Sequence, residues 1–396
     1  MPQRSSIAWR ALGRWLVVAT PYRIANFLTP IAIVYVVGAA DGYRMADLLT
    51  ALVPLGEIAA TGLVALEPIT HLGLRGRLGA MAVGALALTT FTLGMPWPLA
   101  GAGAFLIGAS ATVVTGELRR ALVERLRPEE LTRSLAVDSV AQEITWLIAP
   151  TLASALVAAG ARRSLLALVA ASSLGALLLA RRSRDSTAQR PAPRSFLRLL
   201  GEGRALWALS VLEGLLEGSA VLAAVPLALA GHHTSVLGGI ALSVMTLGSI
   251  LGGSAFARWL GQRPARLLDL AGLVALLAGL LALWALLPSL TPAWLVVSAL
   301  AGSTIAPINA LRASLVPALL PPRQSSDAYS VLYGTYSAGW LVVATVEAAL
   351  FTRVGVGGAE LAVSIAALTG AIIALLAAWR PLGQRPRSSG SPTTHP

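Results

Sequence analysis

Arg23, Glu57, Glu213 and Glu217 stand inside long apolar stretches of this 396-residue chain. A charge at the centre of a hydrocarbon layer costs at least about 2.5–3.5 kcal/mol, and it is kept mainly where it faces a partner or a cavity. Glu213 and Glu217 are four residues apart, so on a helix they point within about 40° of each other. Two carboxyls held that close away from water bind a proton as a unit, because ionising both is costly. Arg23 supplies the opposite charge. The chemistry these residues predict is reversible proton binding linked to the binding of a small charged molecule.

Other chemistry is excluded by composition. All 30 basic residues are arginine, and cysteine is absent. Without lysine there is no phosphate-loop GK[ST] and no Schiff base; without cysteine there is no thiolate nucleophile, disulfide or cysteine metal site. The four histidines, at positions 71, 232, 233 and 395, are too scattered for a three-histidine zinc centre. No cofactor and no metal are expected. The stretch Gly108-Ala-Ser110-Ala has the surroundings of an intramembrane serine nucleophile. Its base would have to be His232 or His233, which fall in a loop at another depth, so an enzyme is a minor reading.

The elements that must position these side chains are membrane helices. Hydrophobic residues make up 56% of the chain and charged ones 12%, against about 25% charged in soluble domains, and the mean hydropathy is +0.74. Apolar runs long enough to cross a core of about 30 Å recur twelve times. They fall at 17–39, 45–66, 78–95, 98–117, 134–159, 163–181, 205–230, 234–257, 267–287, 292–316, 327–352 and 358–379. On this division Arg23 lies about 9 Å into the first span, Glu57 about 14 Å from the cytoplasmic end of the second, and Glu213 and Glu217 about 12 and 18 Å into the seventh.

An even count puts both ends on one side. The segments on that side hold 25 arginines, Arg312 counted among them, while the opposite loops hold Arg44, Arg162, Arg163 and Arg353. The positive-inside bias makes both termini cytoplasmic in a plasma or inner membrane, and assigns the net charge of +12 to lipid headgroups rather than nucleic acid. The apolar run after Arg14 is interrupted by Pro21 and Arg23, so the first span reads as an anchor and not a cleaved signal. The organisation expected is a cytoplasmic segment 1–16, a six-helix bundle 17–181, a Pro-, Ser- and Arg-rich linker 182–204, a second bundle 205–379 and a tail 380–396.

The halves repeat. Leu118, Arg119, Leu122, Val123, Leu126 and Pro128 are matched by Leu311, Arg312, Leu315, Val316, Leu319 and Pro321, followed by Trp146 opposite Trp340. A second pair of basic loops matches as Leu72, Gly73 and Arg75 with Leu260, Gly261 and Arg263. Duplication of a six-helix unit in parallel orientation accounts for both. An offset of 190 places Glu213 opposite Arg23 in the repeat.

The second loop reads Gly253-Ser-Ala-Phe-Ala-Arg258-Trp-Leu-Gly261-Gln-Arg263 and the first Glu67-Pro-Ile-Thr-His71-Leu-Gly73-Leu-Arg75-Gly-Arg77. Here the chain resembles the major facilitator superfamily of secondary transporters, whose corresponding loops carry a G-x-x-x-D-R-x-G-R-R signature; the first copy lacks the Gly and the Asp-Arg pair. Trp146-Leu-Ile-Ala149-Pro150-Thr-Leu-Ala153-Ser154 is similar to the G-P-x-x-G-G stretch of drug:proton antiporters, with Ala for each Gly. The segment from Arg120 to Glu143 is similar to efflux-type actinobacterial members of mostly unassigned substrate. Span four lacks the arginine that such antiporters place there.

The resemblance implies an all-α protein of twelve transmembrane helices in two bundles, working as a monomer on a small organic molecule and protons by alternating access. Export is the first expectation. Proton-coupled uptake, or a non-transporting sensor, are the alternatives. Arg23, Glu57, Glu213 and Glu217 form the expected pathway, while Arg75, Arg77, Arg258 and Arg263 gate by pairing with acids such as Asp138 and Glu143. The latter two fall in the first turns of span five, where the helix dipole and loop arginines stabilise them. Asp47, Glu67, Asp269 and Glu347 fall near span ends, where they read as solvated or structural. The ten tryptophans read as an interfacial belt.

Overall fold

The computed structural model describes residues 5–65, 74–94, 96–123, 128–180, 201, 203–259, 265–319 and 325–379. Within them the chain is helical, as lipid requires of a backbone that must satisfy every polar group internally. The first six helices are α1 (Ser5–Asp41), α2 (Tyr43–Ala65), α3 (Leu74–Thr89), α4 (Trp97–Val123), α5 (Pro128–Ala158) and α6 (Ser164–Ala180). The next four are α7 (Arg204–Ala230), α8 (Ser235–Trp259), α9 (Leu267–Leu286) and α10 (Thr291–Leu319). A final helical run, Ser325–Trp379, is broken at Gly355, whose φ of 72° and ψ of 173° suit a residue without Cβ. Its two parts are α11 (325–354) and α12 (356–379). They fold back on each other, because Glu347 and Glu360 lie side by side, whereas thirteen residues of straight helix would hold them about 20 Å apart. Among the described residues, eight helices are long and apolar enough to cross a membrane by length and composition.

Helices α1 to α6 pack on one another, and α7 to α12 do the same. The two sets meet where α2 lies along α11, where α5 lies along α8, and more lightly where α1 approaches α7. Successive helices reverse, so Ser5 and Trp379 stand on one side of the layer. The opposite face is termed the far side. Near it the seam is tied by hydrogen bonds: the Tyr35 hydroxyl donates to the Ser235 carbonyl at 2.8 Å, and the hydroxyls of Thr151 and Ser243 meet at 2.8 Å.

Small residues set the closeness of the helices. A Cβ on Gly248 or Gly252 of α8 would stand 2.0 Å from the carbonyls of Ala299 and Ser303, and one on Gly302 of α10 would stand 1.7 Å from that of Met245. The backbones of α8 and α10 therefore touch, as small residues four apart allow. Beside them Trp284 and Trp294 stack at 5.1 Å, and the Trp284 indole donates to Ser298 at 2.9 Å.

Candidate functional site

Between the two sets of helices lies a cavity of about 580 Å³. Its walls come from α1, α2, α4 and α5 on one side and α7, α8, α10 and α11 on the other, from mid-depth toward the side of the termini. Arg23 lines it and is 7% exposed. Glu57, Glu143 and Glu217 line it too. An aromatic shelf covers part of the wall, where Phe27 and Trp146 stack at 4.3 Å with their rings 21° apart.

One face of α11 organises the charges. Tyr336 donates a hydrogen bond to Glu217 on α7, and Ser337 donates one to Glu57 on α2. Adjacent residues of one helix thus hold carboxylates from opposite sets of helices. Arg312 on α10, 4% exposed, forms an ion pair with Glu213 at 2.6 Å, donates to Asn309 Oδ1 at 2.7 Å, and lies 4.9 Å from the centre of the Tyr336 ring. The aromatic face and the carboxylate replace part of the hydration this guanidinium loses, while its Nε and Nη1 have no partner in full hydrogen-bond geometry. Glu143 faces Ser249 of α8 across the seam and lies within electrostatic reach of Glu217.

No family model and no curated protein matches the sequence. The coordinates match many solved structures. They are similar to a nucleoside transporter, NupG, with a TM-score of 0.70 at 12% identity, over 93% of this chain and 98% of that one. They are similar to a POT family transporter in complex with 5-aminolevulinic acid, with a TM-score of 0.65 at 15% identity, over 93% and 96%. A bacterial homolog of the human lysosomal transporter Spinster, inward-facing and unoccupied, gives a TM-score of 0.61 at 18% identity, over 93% and 95%. The chain has the major facilitator fold.

Within the major facilitator fold several sequence expectations change. Arg312, counted with the arginines on the side of the termini although it falls at the end of the tenth apolar run, is buried in α10 and pairs with Glu213. Glu213 is therefore the partner of Arg312 rather than of Arg23. Glu143 is not a residue of the first turns: α5 begins at Pro128, a favoured first helical residue, which carries Glu143 to the cavity wall. Asp47 and Glu347 are 1% and 0% exposed instead of solvated. Asp269 is exposed, in the first turn of α9, and Glu67 lies outside the described residues. Trp146 and Trp340 line the cavity instead of joining an interfacial belt, whereas Trp97 is 56% exposed.

Of the basic loop residues, Arg75 is exposed and donates through Nε to the Ala180 carbonyl at 3.3 Å, at the end of α6. Arg77 is buried at 8% exposure and Arg258 is exposed in the last turn of α8. Arg263 and the side chain of Asp138 lie outside the described residues. Ser110 donates to the Leu106 carbonyl of its own helix at 2.8 Å. Gly108, two residues before it, is packed so closely that a Cβ would stand 1.8 Å from the Val53 carbonyl. Helix packing accounts for the Gly-x-Ser stretch.

Sequence reasoning missed Arg312 as a site residue, along with the stripe Tyr333, Tyr336, Ser337 and Trp340. That stripe has the i, i+3, i+4, i+7 spacing of one helix face. The pairing of Trp146 with Trp340 in the repeat reports common ancestry and does not by itself place either ring in the cavity.

Proposed function

We propose that this protein is a proton-driven secondary transporter of a small organic molecule, exporting it across the cell membrane by alternating access. The observation that carries the reading is the cavity between two helix sets, lined by Arg23, Glu57, Glu143 and Glu217 from both sets beside an aromatic shelf. A charged solute bound there is enclosed by surfaces that part or close when the sets rock, and a proton on the carboxyls alters what the site attracts. The moving bodies are 17–181 and 205–379, joined by the linker 182–204, with both termini cytoplasmic. On that orientation the cavity described here faces inward.

Glu217 is the exchangeable proton site, held by Tyr336 and close in sequence to the Glu213–Arg312 pair. Glu57 and Arg23 complete the pathway. Proton loss at Glu217 leaves a carboxylate that competes with the substrate, or with the substrate's own charge, for the same wall. Arg75, Arg77, Arg258 and Arg263 bias the cytoplasmic closure through helix-end carbonyls and acids such as Asp138. The direction, export, rests on the resemblance of 120–143 and of the Pro150 segment to efflux-type members.

The deciding experiment uses protein in proteoliposomes with an imposed pH gradient and a panel of small organic solutes. Glu217→Gln is expected to keep substrate exchange and to lose uphill movement. Uphill movement by that variant with the pH dependence of the unmodified protein would move the proton site elsewhere, and movement of no solute at any gradient would remove the transport reading.

A further inference from the structure

Away from the cavity the fold buries a second set of acids. Glu347 of α11 and Glu360 of α12 are each 0% exposed and lie side by side near the far side. Glu360 accepts hydrogen bonds from Ser219 of α7 and, at 3.4 Å, from Ser364. Asp47 of α2, from the other set of helices, is 1% exposed and within electrostatic reach of Glu347 across the seam. Among the described residues neither oxygen of Asp47 and neither oxygen of Glu347 has a partner in full hydrogen-bond geometry, although Glu347 lies within reach of Glu360 and Ser219. Among the described residues no arginine or histidine supplies a counter-charge to these carboxyls.

Elementary energetics decides what such a place holds. A carboxylate taken from water into an apolar interior without a partner is so costly that the group takes up a proton instead. Among the described residues the polar groups facing the three acids are one another, Ser219 from α7 and Ser364 from α12 itself. Two hydroxyl donors can support one carboxylate, so the remaining carboxyls carry protons in this conformation. Asp47 gives the second observation. It is buried, lies within electrostatic reach of Glu347 from the opposite side of the seam, and among the described residues neither of its oxygens has a hydrogen-bond partner, so it holds a proton of its own.

We propose that Asp47, Glu347 and Glu360 form a proton-binding site separate from the central cavity, and that its protons hold α2 and α11 together at the far side. The inference rests on the alternating-access reading for the motion alone and takes nothing from the substrate. Opening the far side separates Asp47 from Glu347 and admits water, after which the carboxyls ionise and repel. Protons are bound in the closed form and released in the open one, so acid favours the conformation described here and rising pH favours far-side opening.

The chain lacks cysteine, so spin labels at Ala40→Cys and Val354→Cys, both exposed positions, report the separation of the far-side helix ends. Measured in proteoliposomes without substrate, the protein otherwise unmodified is expected to pass from a short to a long distance population between about pH 5 and about pH 9. The D47N/E347Q/E360Q variant should hold the short population throughout. D47N alone leaves the bonds of Ser219 and Ser364 to Glu360 in place and should lose at least half of the shift, so it carries the test where the triple variant does not fold. An unaltered pH response in D47N or in the triple variant would overturn the proposal. So would abolition of the response by E217Q, which would put the switching proton in the cavity. A pH-independent distance in the otherwise unmodified protein would also remove this site, while uphill transport in the solute assay would still stand.

Discussion

Arg312 is a buried charge that the sequence reading did not place in the site. Its guanidinium meets Glu213 at 2.6 Å and Asn309 at 2.7 Å, with the Tyr336 ring beneath it. Removing one member of a buried pair strands the other at a cost of about 3–5 kcal/mol, while replacing both with neutral groups of similar size is often nearly neutral. Glu213→Gln is thus expected to lower the melting midpoint of detergent-purified protein, and Glu213→Gln with Arg312→Gln to regain most of it. Equal melting of the single and the double variant would show that the two side chains are not coupled. The same reasoning makes Glu217→Gln the cleaner probe of proton coupling, since Glu217 is held by a neutral phenol. Depth arithmetic from the apolar runs was enough to point at Arg23, Glu57 and Glu217, because a charge far from either end of a span is conspicuous. Arg312 was not conspicuous. It stands close to the end of its apolar run, and Arg119, its match in the repeat, falls beyond the fourth span.

At the scale of elements, the contact of α8 with α10 offers a controlled test. A methyl on Gly302 would meet the Met245 carbonyl at 1.7 Å, whereas one on Gly272 or Gly279 of α9 would meet nothing within 4 Å. Gly302→Ala is expected to destabilise the protein by about 1–3 kcal/mol through overpacking. Gly279→Ala is expected to be neutral or to gain about 0.5–1 kcal/mol by restricting the backbone. Thermal unfolding of the two variants in one detergent checks this, and a Gly302→Ala protein that melts with its parent would rule out so close a backbone approach. The pair Gly248 and Gly252 was readable as a packing stripe because two small residues share a helix face. Its partner Gly302 was not, since a sequence does not say which neighbour a stripe will meet. Helix starts were equally hard to read: α5 begins at Pro128, before the apolar run, because a helix extends past the membrane wherever its backbone bonds continue. That extension turns Glu143 from a presumed helix-end charge into part of the cavity wall.

For the whole molecule, sidedness is the first property to test. With the arginine bias placing the termini in the cytoplasm, Ser186→Cys in the segment 182–204 is expected to resist an impermeant thiol reagent in intact cells, and Thr234→Cys between α7 and α8 to react. Labelling in the reverse pattern would invert the molecule. Architecture was the most legible level, because span length, loop charge and an internal repeat each report it independently, and the solved structures share it over 93% of the chain. The far-side acids were the least legible, since positions near span ends look solvated until a neighbouring helix covers them. Their position also bears on how the protein is made. The single residue Gly355 joins α11 and α12 in a tight hairpin, and among the described residues Glu347 and Glu360 have each other, Ser364 of α12 and the earlier helices α7 and α2 as neighbours. The two are expected to leave the translocon as a hairpin, after both earlier helices are in place. A nascent chain arrested just before Gly355 would present Glu347 without Glu360 beside it, and biogenesis of the last pair should accordingly be all-or-none, with quality-control proteolysis removing chains that stop between them.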